Sequence, residues 1–279
     1  MSIKIIADSL SDIPAQLVQE YDIEIVPLTI IFEDGEYKDR VDLSVDEFYQ
    51  KLTTSSTLPR TSQITPAEFE AVFRKYLDEG REILYIGASS KASGTYQSSV
   101  IARSMLESDK IHTFDTMALS SGIGMLVIEA AKMAKEGKTV NEILEKLETM
   151  KEKIDHIFTV DTLEYLQKGG RLSATKAAIG TILNIKPILT VEDGLVKPLD
   201  QVRGKKKVLD KMIDIAKKRG EDFTDKTVMI SHANNIEIAE KLKEVVQNEL
   251  NPKEIIIGEI GAGVGTHAGP GTAAIFYLR

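Results

Sequence analysis

The sequence predicts an α/β protein with a parallel, Rossmann-like N-terminal domain and a C-terminal α+β domain whose sheet is largely antiparallel. Short β-branched runs alternate with longer amphipathic segments through the first half, as in parallel strands joined by crossover helices. In the second half, Asp193-Gly194 separates two strand-like runs and is typical of a hairpin turn. The 279 residues suffice for two domains. We expect domains over residues 1–153 and 154–279, with the ligand between them.

The N-terminal domain is predicted from four strand-like runs and from clear helix starts. The predicted strands cover residues 3–7, 23–32, 83–88 and 111–115. Three helix starts fit capping boxes, in which a hydroxyl residue stands three positions before a glutamate: Ser44 and Glu47, Thr65 and Glu68, and Thr139 and Glu142. Pro66 takes a first-turn position that needs no N–H, and Gly80 and Gly137 are predicted helix ends.

The C-terminal domain is predicted to begin with a strand at residues 156–160, followed by short helices and a hairpin. The hairpin strands cover residues 186–191 and 195–202, which favours antiparallel pairing. The remaining elements are a lysine-rich helix at about 204–219, a strand at 227–232, a helix at about 236–250, and strands at 254–260 and 272–278.

Composition and charge exclude several classes of protein. The chain has 35 Lys and Arg against 43 Asp and Glu, a formal net charge of −8, whereas nucleic acids and anionic membranes require a basic surface. It has no cysteine, which excludes disulfides and thiolate zinc sites. No apolar run approaches the ~18 residues of a membrane span, and Asp8 interrupts the first apolar run before a secretory signal develops. We expect a cytoplasmic protein without a transmembrane segment that binds no nucleic acid.

The strongest candidate for a binding site is the turn that follows the predicted strand at residues 83–88. Residues 89–97 are rich in hydroxyl groups and open a helix, so hydroxyls and unpaired N–H groups can face an anion there. Ser93 and Thr95 are the candidate hydroxyls. The alternative interpretation is that either residue only caps the helix.

Similar polar turns follow other predicted strands. Residues 8–14 follow the first strand and residues 115–122 the fourth. Carboxylates and hydroxyls therefore recur at strand carboxyl ends, where ligands bind in open parallel sheets. Residues 59–63 are predicted as a further hydroxyl-bearing loop. The aspartates in these turns can equally fix turns or cap helices, and we favour that structural role for Asp12.

Six of the 19 glycines lie between residues 258 and 271. Glycine at this density permits close approach of the backbone, so we expect a flexible loop that packs against a ligand or another loop. His267 lies in this segment and is the best candidate for a functional histidine. The alternative is that His267 only orders the loop.

Several cofactor and catalytic signatures are missing from the sequence. Gly137-Lys138-Thr139 looks like the end of a P-loop, but Lys132 stands where the first glycine belongs. The glycine-rich segment follows a late strand and is not predicted to open a helix, so it is no dinucleotide fingerprint. No Gly-x-Ser-x-Gly elbow occurs, and the four histidines lack metal-ligand spacing. We therefore expect no catalytic residues, no cofactor and no metal.

Two basic features remain. Arg171 follows the Gly169-Gly170 turn between two predicted helical segments. It can contact an anion or bridge the two domains through a carboxylate such as Asp161, and we favour the bridge. Arg203 lies in the basic run at residues 201–207, which is either a solvated helix start or a docking patch for an acidic partner.

Six short motifs, spread in order over essentially the whole chain, resemble the bacterial DegV family. They are Asp8-Ser9 with Asp12-Ile13-Pro14, Thr61-Ser62-Gln63, Ser89-Ser90 with Ser93-Gly94-Thr95-Tyr96-Gln97, Gly169-Gly170-Arg171, Lys186-Pro187, and Gly265-Thr266-His267 with Gly269-Pro270-Gly271. Each motif is weak alone, but their order and separations are specific. Ala268 stands where the family often carries a second threonine.

The resemblance implies a protein that binds a long-chain fatty acid between its halves, as the lipid-binding subunit of a bacterial fatty acid kinase. A separate catalytic subunit would phosphorylate the carboxylate to an acyl phosphate for phospholipid synthesis, so this chain would not be an enzyme by itself. The same resemblance implies a carboxylate site formed by Thr61, Ser62, Ser93, Gly94, Thr95 and His267. It also implies that Arg203 faces the kinase.

A second hypothesis is a stand-alone enzyme that acts on a small phosphorylated or carboxylated metabolite, with Ser93 or His267 taking part in the chemistry. A polar pocket and turnover without a partner would favour this enzyme. Lipid that co-purifies with the protein would favour the fatty acid carrier.

Overall fold

The computed structural model describes residues 2–172, 185–204 and 207–279. In chain order, the strands are β1 (Ile3–Asp8), β2 (Glu24–Val26), β3 (Thr29–Phe32), β4 (Gly35–Lys38), β5 (Arg60–Ser62), β6 (Glu82–Gly87), β7 (Ile111–Asp115), β8 (Ile154–Thr159), β9 (Ile185–Glu192), β10 (Leu195–Arg203), β11 (Thr227–His232), β12 (Glu254–Glu259) and β13 (Ala273–Leu278). The α-helices are α1 (Ala15–Glu20), α2 (Val45–Thr54), α3 (Pro66–Asp78), α4 (Thr95–Leu106), α5 (Ser121–Lys135), α6 (Val140–Lys151), α7 (Glu164–Lys168), α8 (Val208–Arg219), α9 (Ile236–Leu250) and α10 (Ala262–Ala268).

Two sheets form the centres of two lobes. The N-terminal lobe, from β1 to α6, contains a parallel four-stranded sheet with the order β2-β1-β6-β7. The C-terminal lobe, from β8 onward, contains a six-stranded sheet with the order β10-β9-β8-β13-β11-β12. Among its described strands, β11 and β12 are parallel neighbours and the other neighbours are antiparallel. The predicted fold class is therefore confirmed.

A small third sheet was not predicted. In this sheet β3 pairs antiparallel with β4 and with β5. The sequence predicts one strand over residues 23–32, but Pro27 follows β2 and has no N–H to donate to a neighbouring strand. The chain instead leaves the parallel sheet and continues as β3. Residues 59–63, predicted as a loop, contain β5, which places Thr61 opposite Ile30.

The predicted helix starts are confirmed in detail. The hydroxyls of Ser44, Thr65 and Thr139 each accept a hydrogen bond from the backbone N–H of the glutamate three residues later. Each glutamate side chain in turn accepts from the backbone N–H of its cap residue, so all three capping boxes are complete. Gly80 and Gly137 follow α3 and α5 with φ angles of 76° and 81°, which an L-residue adopts only with strain.

The hairpin is also confirmed, whereas the start of the lysine-rich helix differs from the prediction. Strands β9 and β10 pair around the turn at Asp193 and Gly194. Helix α8 begins at Val208 rather than near residue 204. Part of the basic run, residues 205–206, and the helical segment predicted after Arg171, which falls within residues 173–184, lie outside the described residues.

The glycine-rich segment is partly helical, so the prediction of a flexible loop was wrong. Residues Ala262–Ala268 form α10 with Gly261 as its N-cap, and the segment does open a helix. Glycine lowers helix propensity, but the small residues here permit close packing. A Cβ on Gly265 would lie 2.6 Å from the hydroxyl of Tyr49 and 2.8 Å from the ring of Phe48. Tertiary contacts therefore stabilise a helix that local propensity disfavours.

The two lobes share apolar contacts. Met229, Ala274 and Phe276 of the C-terminal sheet belong to the same buried cluster as the side chains of β1, β6 and α5. A second cluster joins α2 and β3 with Ile260 and Ala262. These contacts bring the carboxyl ends of the parallel strands close to α10 and to the β9–β10 hairpin.

Candidate ligand-binding site

A cavity lies between the two lobes and contains about 790 Å³ of empty space, part of it open to solvent. Most of the lining residues are apolar. Five of these apolar residues are called the apolar part of the lining below: Leu119, Phe158, Val191, Val196 and Phe276.

Four of the predicted residues meet in the same lining: Thr61, Ser93, Arg171 and His267, called the polar part below. They come from β5, from the turn before α4, from the segment after α7 and from the last turn of α10. The Nε2 atom of His267 lies 2.9 Å from Thr61 Oγ1, which is a hydrogen bond across the two lobes. The polar part is thus assembled from segments that are remote in sequence.

His267 is neutral at pH 7. Burial and, to a smaller extent, the nearby charge of Arg171 lower the pKa of His267 to about 4. Its Nδ1 atom is buried without a hydrogen-bond partner in the described part of the chain, and a Cβ on Gly169 would lie 2.3 Å from it. Because a buried acceptor is left unpaired more readily than a buried N–H, we assign the proton to Nε2. Nε2–H then donates to Thr61 and leaves the Thr61 hydroxyl proton free for a ligand.

Ser93 lines the cavity and also organises the start of α4. Its hydroxyl donates to Thr95 Oγ1 at 3.0 Å and accepts from the backbone N–H of Thr95 at 3.3 Å. Gly94 is the N-cap residue, and a Cβ there would lie 1.9 Å from Gln63 Oε1. The two interpretations of Ser93 are therefore compatible, because one hydroxyl serves the helix start and borders the cavity.

The other predicted residues do not line the cavity. Thr95 is fully buried behind Ser93, and Gly94 packs against Gln63. Ser62 pairs with Thr29 in the small sheet. Arg203 is exposed at the end of β10.

Arg171 connects the lobes through the backbone. Its Nε donates to the carbonyl oxygen of Ala92 at 3.4 Å, and its Nη1 donates to the carbonyl oxygen of Gly169 at 2.7 Å. The carboxylate suggested by the sequence, Asp161, forms an ion pair with Lys186 at 2.6 Å. Arg171 thus reaches the turn that carries Ser93 while it also borders the cavity.

A second pocket adjoins the polar part and shares Thr61, Arg171 and His267 with the main cavity. Arg60 and Lys168 also line this pocket. Lys168 forms an exposed ion pair with Glu164 at 2.6 Å. The polar part therefore borders a surface on which three cationic side chains gather.

The aspartates that end β1 and β7 hold the polar turns in place. Asp8 accepts hydrogen bonds from the hydroxyl of Tyr85 at 2.6 Å and from the N–H of Ala88 at 3.1 Å, and it is fully buried. Asp115 accepts from the N–H groups of Ser90 and Met117. These two carboxylates are bonded within the fold and do not line the cavity.

His156 lines the cavity, and sequence reasoning did not select it. Burial and, to a smaller extent, the charge of Arg219 lower its pKa to about 3, and its Nε2 accepts a long hydrogen bond from the N–H of Leu119, at 3.4 Å. Its ring packs edge-on against Phe276, with ring centres 5.4 Å apart. A single histidine on a buried strand has no metal-ligand spacing, so no pattern in the sequence marks it.

The described residues contain no group of three or more His, Asp or Glu side chains that could hold a metal ion. Within the same ranges, the structure has no helix that is both long enough and apolar enough to cross a membrane.

Comparison with known proteins places these features in context. The family model DegV, described as an uncharacterised protein of DegV family COG1307, matches residues 2–279. A DegV domain-containing protein of Caldanaerobacter subterraneus subsp. tengcongensis is 43% identical over 275 residues, covering 99% of this chain and 98% of that protein.

Solved structures show the same fold. A DegV family protein from Thermus thermophilus, described by its fatty acid binding, has a TM-score of 0.93 and 31% identity, with 100% of both chains covered. DegV from Bacillus subtilis, described as a fatty acid binding protein, has a TM-score of 0.89 and 30% identity, again with 100% of both chains covered.

Proposed function

The chain belongs to the DegV family, and on that premise we propose that it binds a long-chain fatty acid in the cavity between its lobes. One observation carries the proposal: the cavity combines a largely apolar lining with the compact polar part, in which Thr61, Ser93 and His267 lie beside Arg171. An acyl chain matches the first and a carboxylate matches the second. The solved relatives described as fatty acid binding proteins support the same ligand class.

The acyl chain supplies most of the binding free energy. At ~0.8 kcal/mol per buried methylene, about 14 methylenes contribute roughly 11 kcal/mol before the ordering costs of binding. Submicromolar affinity therefore requires little from the carboxylate. The polar part serves mainly to orient the ligand and to select a carboxylate end group.

The carboxylate is held by hydroxyls and remains reactive. The Thr61 hydroxyl is free to donate because His267 Nε2–H donates to its oxygen. The Ser93 hydroxyl donates to Thr95 Oγ1 in this structure. A hydroxyl rotates about its C–O bond, so it can donate to a ligand carboxylate instead. A bidentate arginine clamp would occupy both carboxylate oxygens, whereas two hydroxyls leave lone pairs for attack on a phosphoryl group.

The second part of the proposal is that a separate kinase subunit phosphorylates this carboxylate to an acyl phosphate for phospholipid synthesis. The sequence has no P-loop of its own. The second pocket, beside the polar part, carries Arg60, Lys168 and Arg171, whose charges suit an incoming phosphoryl donor. Arg203 is exposed and is proposed as a docking residue for the kinase.

Native mass spectrometry of the purified protein tests fatty acid binding. The protein is then denatured, extracted with solvent, and the released molecules are identified. A stoichiometric fatty acid is the expected result. A ligand-free protein that also fails to bind added oleate or palmitate would overturn the proposal and favour the enzyme acting on a small polar metabolite.

Incubation of the loaded protein with ATP and a DegV-associated kinase tests the second part. Acyl phosphate is expected, trapped as the hydroxamate, when both proteins are present. Formation of acyl phosphate by this chain and ATP alone would contradict the division of labour between two subunits.

A further inference from the structure

Two carboxylates of the N-terminal lobe cover the start of α10, a helix of the C-terminal lobe. Asp12 follows β1, and its Oδ1 accepts from the N–H of Gly261 at 2.8 Å. Asp39 follows β4, and its two oxygens accept from the N–H groups of Ala262 and Gly263 at 3.2 and 3.1 Å. The first N–H groups of a helix have no partner within it, so here the partners come from the other lobe.

Both carboxylates are buried, with 1% of their surface exposed. Arg40 lies beside them, with Nη2 at 3.5 Å from Asp12 Oδ1, and it also donates to the carbonyl oxygen of Glu259 at 2.7 Å. Burial raises the pKa of both carboxyl groups, that of Asp12 to about 7. Buried groups of this kind are costly unless they are bonded, which makes the match between the aspartates and the helix start specific.

The glycines of the segment permit this close approach. A Cβ on Gly261 would lie 3.0 Å from the Arg40 guanidinium, and a Cβ on Gly263 would lie 2.8 Å from Leu10 Cδ2 and 3.3 Å from Asp39 Oδ2. Larger side chains at these two positions would push the helix away from its caps.

The other end of α10 carries His267. The helix has seven residues, too few to be stable by itself. Its position is therefore set by its caps and by packing, and at ~1.5 Å per residue the capped end lies only ~9 Å along the helix from His267. A shift at the start of α10 moves the imidazole relative to Thr61.

We propose that Asp39 and Asp12 are positioning residues, which hold α10 so that His267 meets Thr61 and the carboxylate end of the cavity is formed only when the two lobes are docked. Their role in ligand recognition rests on the proposed fatty acid function, whereas their hold on His267 does not. Neither residue lines the cavity.

The test compares the full chain with Asp39→Asn. Proton NMR titration without ligand follows the pKa of His267, which we expect to rise by about one unit or more as the imidazole becomes hydrated. The affinity for oleate should fall about tenfold while the affinity for oleyl alcohol stays within about twofold, because only oleate carries the carboxylate.

Asp155→Asn is the matched control. Asp155 is equally buried, and it bonds to Tyr277 and Arg219 inside the C-terminal lobe. This variant should leave the titration of His267 and the ratio of the two affinities unchanged.

A folded Asp39→Asn protein with an unchanged His267 titration and an unchanged affinity ratio overturns the proposal. If Asp39→Asn does not fold, the His267 titration and the ratio of the oleate and oleyl alcohol affinities are measured on Asp12→Asn instead, with the same expected and contradicting results. If the unsubstituted protein binds no fatty acid, the proposed function fails, and the His267 titration still decides whether the aspartates position the helix.

Discussion

The polar and apolar parts of the cavity lining are built on different principles. In the polar part, Thr61 and His267 come from strand and helix segments 206 positions apart and are held in one geometry by a hydrogen bond. In the apolar part, side chains such as Val191, Val196 and Phe158 contribute mainly surface area. Val196 belongs to a buried cluster with Leu166 and Leu189, against which Phe158 and Leu119 pack.

This difference separates affinity from selectivity. Burial of apolar surface is non-directional and roughly additive, so under the proposed function we expect the apolar part to set the affinity for an acyl chain and the chain length that fits. Hydrogen bonds depend steeply on distance and angle, so we expect the polar part to select the end group. Substitutions in the two parts should therefore change different measured quantities.

The largest effect is expected from blocking the apolar part with Val191→Trp. Val191 is half-buried and lines the cavity, so the indole can extend into the acyl site. Excluding about four methylenes costs ~3 kcal/mol, which lowers the affinity for oleate by roughly 100-fold. Isothermal titration calorimetry with oleate measures this loss of affinity. Val41→Trp, at a residue that is 70% exposed and outside the lining, is the control. Equal affinities of the two variants for oleate would show that the acyl chain binds elsewhere.

The next effect concerns His156, which lies among apolar lining residues as a neutral group. Its folded pKa of about 3 is below the ordinary value of 6.5. The unfolded chain therefore binds the proton more tightly, and stability is lost as the pH falls from 6.5 toward 3. Relative to His156→Gln, the free energy of unfolding should drop by about 2 kcal/mol between pH 7 and pH 5.

Urea unfolding of both proteins at the two pH values measures this difference. Asp12, whose pKa is raised, acts in the opposite direction but cancels in the comparison because both proteins contain it. A difference that does not change with pH would show that His156 is hydrated in the folded protein, and the apolar part would then be wet at this position.

A smaller effect is expected from Ser93→Ala in the polar part. Loss of a hydrogen bond to a charged group costs about 1.5 kcal/mol, so the affinity for oleate should fall about tenfold while that for oleyl alcohol is retained. Ser104→Ala is the control, because that hydroxyl bonds to Val100 within α4. Equal losses for acid and alcohol would remove Ser93 from the carboxylate site.

The smallest effect is expected outside the cavity, from Arg203→Ala. An exposed charge at a docking surface changes mainly the association rate, so the kcat/KM of the kinase reaction should fall about threefold to fivefold with unchanged oleate affinity. The control is Arg103→Ala, at an exposed arginine of α4. If fatty acid affinity falls in parallel, Arg203 acts on binding rather than on docking.

Local signals in the sequence predicted those features that local physics controls. The capping boxes at Ser44, Thr65 and Thr139 formed because the bonding partners lie three residues apart. The hairpin around Asp193-Gly194 formed for the same reason. By contrast, α10 was predicted as a loop, since its caps come from Asp12 and Asp39, more than two hundred residues away.

In the candidate site, too, residues with a local sequence pattern were predicted and residues placed by remote contacts were not. Ser93 was recognisable, because a hydroxyl turn between a buried strand and a helix is a local pattern. His156 had no local pattern and was missed. Of the two neighbouring hydroxyl residues of β5, Thr61 is in the cavity lining and Ser62 is not. Which of two neighbouring hydroxyls borders the cavity depends on the pairing of β5 with β3.

By itself, the sequence determined the α/β class, the order of most helices and strands, the acidic surface and the resemblance to DegV proteins. The tertiary structure decided that Thr61 and His267 form a pair, that a glycine-rich segment becomes a helix and that His156 borders the cavity. The physical reason is that periodicity, caps and turns act over a few residues. The site depends on burial and hydrogen bonds between segments that meet only when the lobes pack together.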